Sequence, residues 1–222
     1  MRCCTSHLRP PGEGSSDDGM IPHLESLCID AGATEVTGVA PDFRRLPVAI
    51  GHSVDAKLKA ALALEPEANL VFVHRDADAR VGTARYSEIA DASAACGGDR
   101  PVICVVPIQE TEAWLLLDEA AIRRAVGRPR SNVKLELPSP SAVERVARPK
   151  ERLQQVLERA SEATGRRLER IRQDFPLQRR ALLEDLPIAG PLEQVSSWRR
   201  LRNELRDALG AVIDAGSRTR GT

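Results

Sequence analysis

Two short apolar runs constrain this chain more than anything else in it. Asn69-Leu70-Val71-Phe72-Val73-His74 and Pro101-Val102-Ile103-Cys104-Val105-Val106 are rich in β-branched residues and too short for helices. Neither alternates apolar with polar, so each predicts a strand buried on both faces, the habit of parallel sheets. Between them, Thr83 to Ala95 has the composition of a helix and stops at Cys96-Gly97-Gly98. Strand, helix and strand in that order predict a right-handed crossover and a mostly parallel sheet covered on both faces.

Other segments extend the pattern. Gly12-Glu13-Gly14-Ser15-Ser16-Asp17-Asp18-Gly19 is a polar, glycine-rich turn leading into an amphipathic helix over Met20 to Leu27, with Asp17 or Asp18 as N-cap. Glu35 to Val39 predicts a short strand, and Ser53 caps a helix from Val54 to Leu64. Thr111 to Val126 reads as one apolar helix ending at Gly127. Near the start, Pro10-Pro11 cannot donate to a central ladder, so the first strand is expected to be short, at an edge or altered. Beyond Gly127 the character changes. Arg128 to Pro140 is a proline-rich connection, and Ser141-Ala142-Val143-Glu144 is a capping box opening a helix that bends at Pro149. Arg166 to Asp174, Leu177 to Leu186 and Val195 to Ile213 supply more helix. The expected organisation is an α/β domain over 1–127 with an arginine-rich helical extension over 128–222 packed on it.

Charge is divided the same way. Up to Ile122 there are 10 basic and 19 acidic residues, a balance of −9; from Arg123 onward there are 22 and 13, a balance of +9. An acidic half able to hold metal, joined to a basic half able to hold a polyanion, suits a nucleic-acid enzyme. A pair of solvated helical faces accounts for the same numbers. No apolar stretch approaches the ~18 residues of a membrane span and no signal-like segment opens the chain, so a cytoplasmic location off the membrane is expected. The five scattered cysteines form no Cys-x-x-Cys pair and predict reduced thiols rather than a zinc site.

The strongest chemical signal is Asp76-Ala77-Asp78, directly after the first buried strand. The carboxyl end of a parallel strand is where ligands bind, and two carboxylates one residue apart can converge on one hard cation such as Mg²⁺. The same residues can also simply cap a turn. Glu13, between two glycines before a helix, sits where backbone approaches a ligand closely, or is a solvated loop carboxylate. Glu110-Thr111-Glu112-Ala113-Trp114 follows the second strand, again placing carboxylates at a strand's end. Arg75 either meets phosphate or neutralises Asp76. Arg166, Arg167 and Arg170 are dense enough to contact a phosphate backbone, although aromatic residues for base stacking are few.

Gly12-Glu13-Gly14-Ser15-Ser16-Asp17, then Val71-Phe72-Val73-His74-Arg75-Asp76-Ala77-Asp78, then Glu110-Thr111-Glu112-Ala113-Trp114-Leu115-Leu116 resemble the TOPRIM (topoisomerase–primase) superfamily. More narrowly, the chain resembles small TOPRIM-like bacterial proteins of unassigned function, whose relatives sit beside ATPases in phage-defence and abortive-infection loci. The resemblance spans 12–127 and covers the basic tail more weakly. It implies a Rossmann-like, mostly parallel α/β fold with a C-terminal basic helical region. It also implies that Glu13, Asp76 and Asp78 build the acidic site for Mg²⁺ or Mn²⁺, that Glu13 also moves a proton at the attacking or leaving oxygen, and that Glu112 is a further acid of the site. The implied activity is metal-dependent cutting or transfer of phosphodiesters in DNA or RNA, as a phage-defence effector. An ATPase partner and a homo-oligomer are compatible with it. Two other readings stay open: a non-catalytic metal-binding subunit or regulator of an ATPase, and an Asp-x-Asp phosphatase or transferase. Against the phosphatase, Ala79-Arg80-Val81 lacks the small hydroxyl residue such enzymes carry after their aspartates.

Overall fold

A computed structural model of the chain describes residues 2–7, 18–96 and 100–219. Four parallel strands, β1 (Arg2–His7), β2 (Thr37–Val39), β3 (Leu70–His74) and β4 (Val102–Val105), form one sheet in the order β2-β1-β3-β4. The apolar runs at 69–74 and 101–106 are therefore strands, as expected, and neighbours in the sheet. The first strand differs from expectation. It is six residues long and central, flanked by β2 and β3, with Cys3 opposite Leu70 and His7 opposite His74. It runs to His7, upstream of Pro10 in the sequence.

Helices cover both faces, as parallel strands require. Along β3, Leu70 and Phe72 belong to one apolar core and Val71 and Val73 to the other, the two-residue alternation of a pleated strand. The Val71 side is closed by α2 (Val54–Leu64) through Val54, Leu58 and Ala61, and by α3 (Thr83–Cys96) through Ile89 and Ala92. The Phe72 side is closed by α1 (Ile21–Asp30) through Leu24, Leu27 and Cys28, and by the helical second half of the chain.

That second half corrects two local expectations. The apolar stretch from Thr111 to Val126 is two helices, α4 (Glu112–Leu115) and α5 (Glu119–Ala125). Asp118 breaks the run: extended at φ −108°, it accepts the Ala121 N–H at 2.9 Å and starts a new helix. The expected capping box at Ser141 is not one. Ser139 precedes the single turn of α6 (Pro140–Val143), and Pro149 opens α7 (Pro149–Ser161) rather than bending it, because proline suits the first helical turn. Glu144 instead caps the distant helix α10 (Ser196–Thr219), accepting from Ser197 N at 2.8 Å and from the Ser196 hydroxyl. Between α7 and α10 lie α8 (Gly165–Gln173) and α9 (Phe175–Glu184).

One continuous core unites strand residues Phe72 and Val105 with Leu157, Leu183, Trp198 and Leu205 of these helices. Trp114 and Trp198 meet edge to face, 5.0 Å apart at 84°, and the Trp114 indole donates to Ser197 Oγ at 3.1 Å. α10 also protects the open edge of β4: Glu204 accepts from Cys104 N at 3.3 Å, and Arg200, paired with Glu204 at 2.8 Å, lies 3.5 Å over the Tyr86 ring. Among the described residues no helix is long and apolar enough to cross a membrane.

Two outcomes follow from this packing. Trp198→Ala, at a side chain 0% exposed, lowers unfolding free energy in urea by about 3–5 kcal/mol, whereas Leu177→Ala, 68% exposed, changes it by at most ~0.5 kcal/mol. The second concerns His23, whose Nε2–H donates to Leu183 O at 2.6 Å. Burial lowers its pKa below the ordinary value, outweighing that hydrogen bond and the Asp185 charge, which raise it. The unfolded chain then takes up the proton first, so the contribution is complete above about pH 6.5 and is lost as pH falls through the lower folded value. The melting temperature of His23→Gln accordingly depends less steeply on pH between about 6.5 and 5.5 than that of the native chain.

Candidate functional site

The ladder between β3 and β4 does not stop where the strands do. Arg75 N donates to Val105 O at 3.0 Å, Ala77 N to Pro107 O at 3.0 Å and Asp78 N to Gln109 O at 2.9 Å. Gln109 N returns a bond to Ala79 O at 3.1 Å. The two loops leaving the carboxyl ends of the strands are thus joined backbone to backbone. Both residues at this junction are left-handed, Asp78 at φ 52° and Gln109 at φ 65°. Such a backbone costs a non-glycine residue roughly 1–2 kcal/mol, less for Asp than for a long side chain such as Gln. Strain of this kind persists where the surroundings over-determine it, often beside ligands.

Four carboxylates collect around the junction, each in a different setting. Asp76 is the most firmly oriented. Its side chain is 9% exposed, and its Oδ1 accepts both the Thr111 N–H at 2.9 Å and the Thr111 hydroxyl at 2.8 Å. Because that hydroxyl proton goes to Asp76, the buried His74 must donate from Nε2 to Thr111 Oγ1, 3.0 Å away, which fixes its tautomer. Asp78 is 65% exposed and meets Arg85 Nη2 at 3.1 Å. Arg85 spans the whole turn, donating also to Asp76 O at 3.2 Å and to Glu88 at 3.0 Å. Burial works against the Arg85 charge, but the Glu88 and Asp78 carboxylates hold its pKa above the ordinary value.

Glu110 accepts the Lys150 N–H at 2.9 Å, so it closes the N-terminus of α7 from a distant loop. Burial pushes the Glu110 carboxyl above the usual range; the charges of Glu112 and Asp76 push the same way, against the Lys150 bond. Glu112 is 2% exposed and forms a buried ion pair with Arg179 of α9, Nε to Oε1 at 2.7 Å. Between the junction and the start of α7 opens a cleft of about 240 Å³, lined by Asp78, Gln109, Glu110, Arg148 and Lys150 among others.

Of the residues singled out in the sequence, Asp76, Asp78 and Glu112 therefore share one end of the sheet. Glu13 lies outside the described residues. Among the described residues no group of three or more His, Cys, Asp or Glu side chains is disposed to hold a metal ion. Arg75 reaches sideways to Glu88 at 3.4 Å. Arg166, Arg167 and Arg170 stand exposed on α8, and none of them lines the cleft. Sequence reading had no means of selecting Gln109, Thr111, Arg85 or Lys150. Arg179 was visible only as part of a basic tract, because its partner is 67 residues away. Cys28 is a buried free thiol.

A protein-family model described as a domain of unknown function, DUF4276, matches residues 22–195. No curated protein and no solved structure matches the chain.

Glu112 and Arg179 are both under a tenth exposed, so breaking this pair leaves charge in the core without its short bond. Glu112→Gln is expected to lower stability by about 3–5 kcal/mol in urea unfolding. The double variant Glu112→Leu with Arg179→Met should recover most of that loss, since an apolar pair of similar volume strands no charge.

Proposed function

This chain belongs to the DUF4276 family, and from that premise we propose that it is a TOPRIM-like enzyme that cuts or transfers phosphodiesters with a bound Mg²⁺ or Mn²⁺. The observation that carries the reading is Asp76: a nearly buried carboxylate at the carboxyl end of a fully buried parallel strand, with one oxygen fixed by two donors from Thr111. An aspartate that only capped its own turn would bond to its own loop; this one is oriented by the neighbouring strand's loop. The donor chemistry fits a hard cation, since Asp76 and Asp78 offer carboxylate oxygens. When bound, the cation supplies charge that polarises the phosphoryl group.

The protein's own residues divide the remaining work. Asp76 and Asp78 hold the cation, Thr111 and His74 keep Asp76 in one orientation, and Arg85 keeps the turn between the aspartates in shape. Glu13 is the proton-handling group in this reading. Glu112 acts from behind the site by fixing Arg179 and the wall it belongs to. Arg166, Arg167 and Arg170 attract nucleic acid through exposed positive charge. The role of phage-defence effector beside an ATPase partner is carried by the resemblance alone. A second reading, a non-catalytic metal-binding subunit, is favoured by the Arg85–Asp78 pair, which sets a cation's substitute against one of the two aspartates.

The deciding experiment incubates purified protein with DNA and with RNA, with and without Mg²⁺ or Mn²⁺, beside Asp76→Asn. Cleavage should require the metal and fall at least about 100-fold in the variant. Equal cleavage by both proteins, or cleavage undiminished by chelator, would refute the catalytic role. Metal binding without cleavage would move the assignment to the subunit.

A further inference from the structure

Gln109 is the least explained residue of the site. The junction needs a left-handed backbone at φ 65°, which glycine adopts without strain. Gln109 contributes only its main chain to the junction, so its side chain has no part in building it. That side chain is nevertheless kept: the residue is 9% exposed, and its amide makes no hydrogen bond to any described residue. It lines the cleft in front of α7. The amide is not among the sealed, unpaired polar groups of the described residues, so water reaches it in the cleft and a ligand there would take that water's place.

The cleft limits what that ligand can be. At about 240 Å³ it is smaller than the roughly 300 Å³ where sites for drug-sized molecules begin, so it suits one small unit rather than a duplex. Its lining brings acceptors on Asp78, Glu110 and Glu151 together with donors on Arg148 and Lys150, and the amide offers both kinds. A bare anion would meet carboxylates there, whereas a base edge with its sugar hydroxyls presents donors and acceptors in turn. Glutamine pairs with a base edge through two hydrogen bonds of this kind.

We infer that Gln109 is a ligand-contacting residue whose amide reads a nucleobase, and that the cleft seats one nucleoside unit of the substrate beside Asp78. The inference rests on the phosphodiester reading for the identity of the substrate, while the role of Gln109 is separately measurable. With adenine the amide can pair through N6–H and N7, the arrangement glutamine uses in duplex readout.

The test is calorimetric titration of the full chain in Mg²⁺ with adenosine 5′-monophosphate, the three other common nucleoside monophosphates and inorganic phosphate. The native protein should bind the adenine nucleotide more tightly than phosphate. Gln109→Gly should weaken nucleotide binding at least about 10-fold while the melting temperature stays level or rises by up to ~2 °C, because backbone strain is relieved. Gln109→Asn, which tolerates the left-handed backbone but withdraws the amide, is the second variant and should weaken binding likewise. Undiminished affinity in both variants, or a native protein that binds phosphate as tightly as every nucleotide, overturns the inference. Asp76→Asn separates the two readings. Nucleotide binding that depends on Gln109 in a protein with no cleaving activity leaves the cleft assigned and removes the enzyme. Metal-dependent cleavage without dependence on Gln109 does the reverse.

Discussion

Everything proposed for this protein depends on the backbone bonds that continue between β3 and β4 after the strands end. A strand terminus alone positions nothing, since loops leaving it are ordinarily free to diverge. Here Asp78 N and Gln109 O, and Gln109 N and Ala79 O, tie the loops together at about the usual peptide hydrogen-bond length. The junction brings Thr111 to Asp76, puts Gln109 at the cleft and leads Glu110 toward α7. Its left-handed residues are the cost of making two loops face each other.

The helical second half is part of the same construction. Arg179 of α9 neutralises Glu112 behind the site, and the N-terminus of α7 is closed by Glu110 in front of it. Helices that share a core with the sheet therefore also share its charges. The concentration of acid in the first half of the chain and of arginine in the second becomes, locally, a set of pairings across the fold. Arg166, Arg167 and Arg170 stand exposed on α8.

Much of the sheet was legible because it depends on local burial patterns. Continuous apolar runs at 70–74 and 102–105 announce strands covered on both sides, and Val54 to Leu64 carries its helical spacing openly. β1 was misjudged because Arg-Cys-Cys-Thr-Ser-His lacks the aliphatic run of a central strand and prolines follow it closely. The run from Thr111 to Val126 concealed a break because apolar periodicity outweighed one capping aspartate, Asp118. Asp76 and Asp78 were recognisable by their place after a strand. Gln109 was not, because glutamine carries no turn signature and its left-handed backbone is imposed by the opposite loop. Arg179 and Thr111 owe their roles to long-range contacts that no spacing rule encodes.

The central claim is that the strand-end aspartates form a cation site. Crystals grown in Mn²⁺ and measured at a wavelength giving anomalous signal test it directly. The account predicts a peak between Asp76 and Asp78, with carboxylate oxygens about 2.0–2.5 Å away and Arg85 displaced from Asp78. A map without density there, from protein that cleaves phosphodiesters only when Mn²⁺ is present, would contradict it.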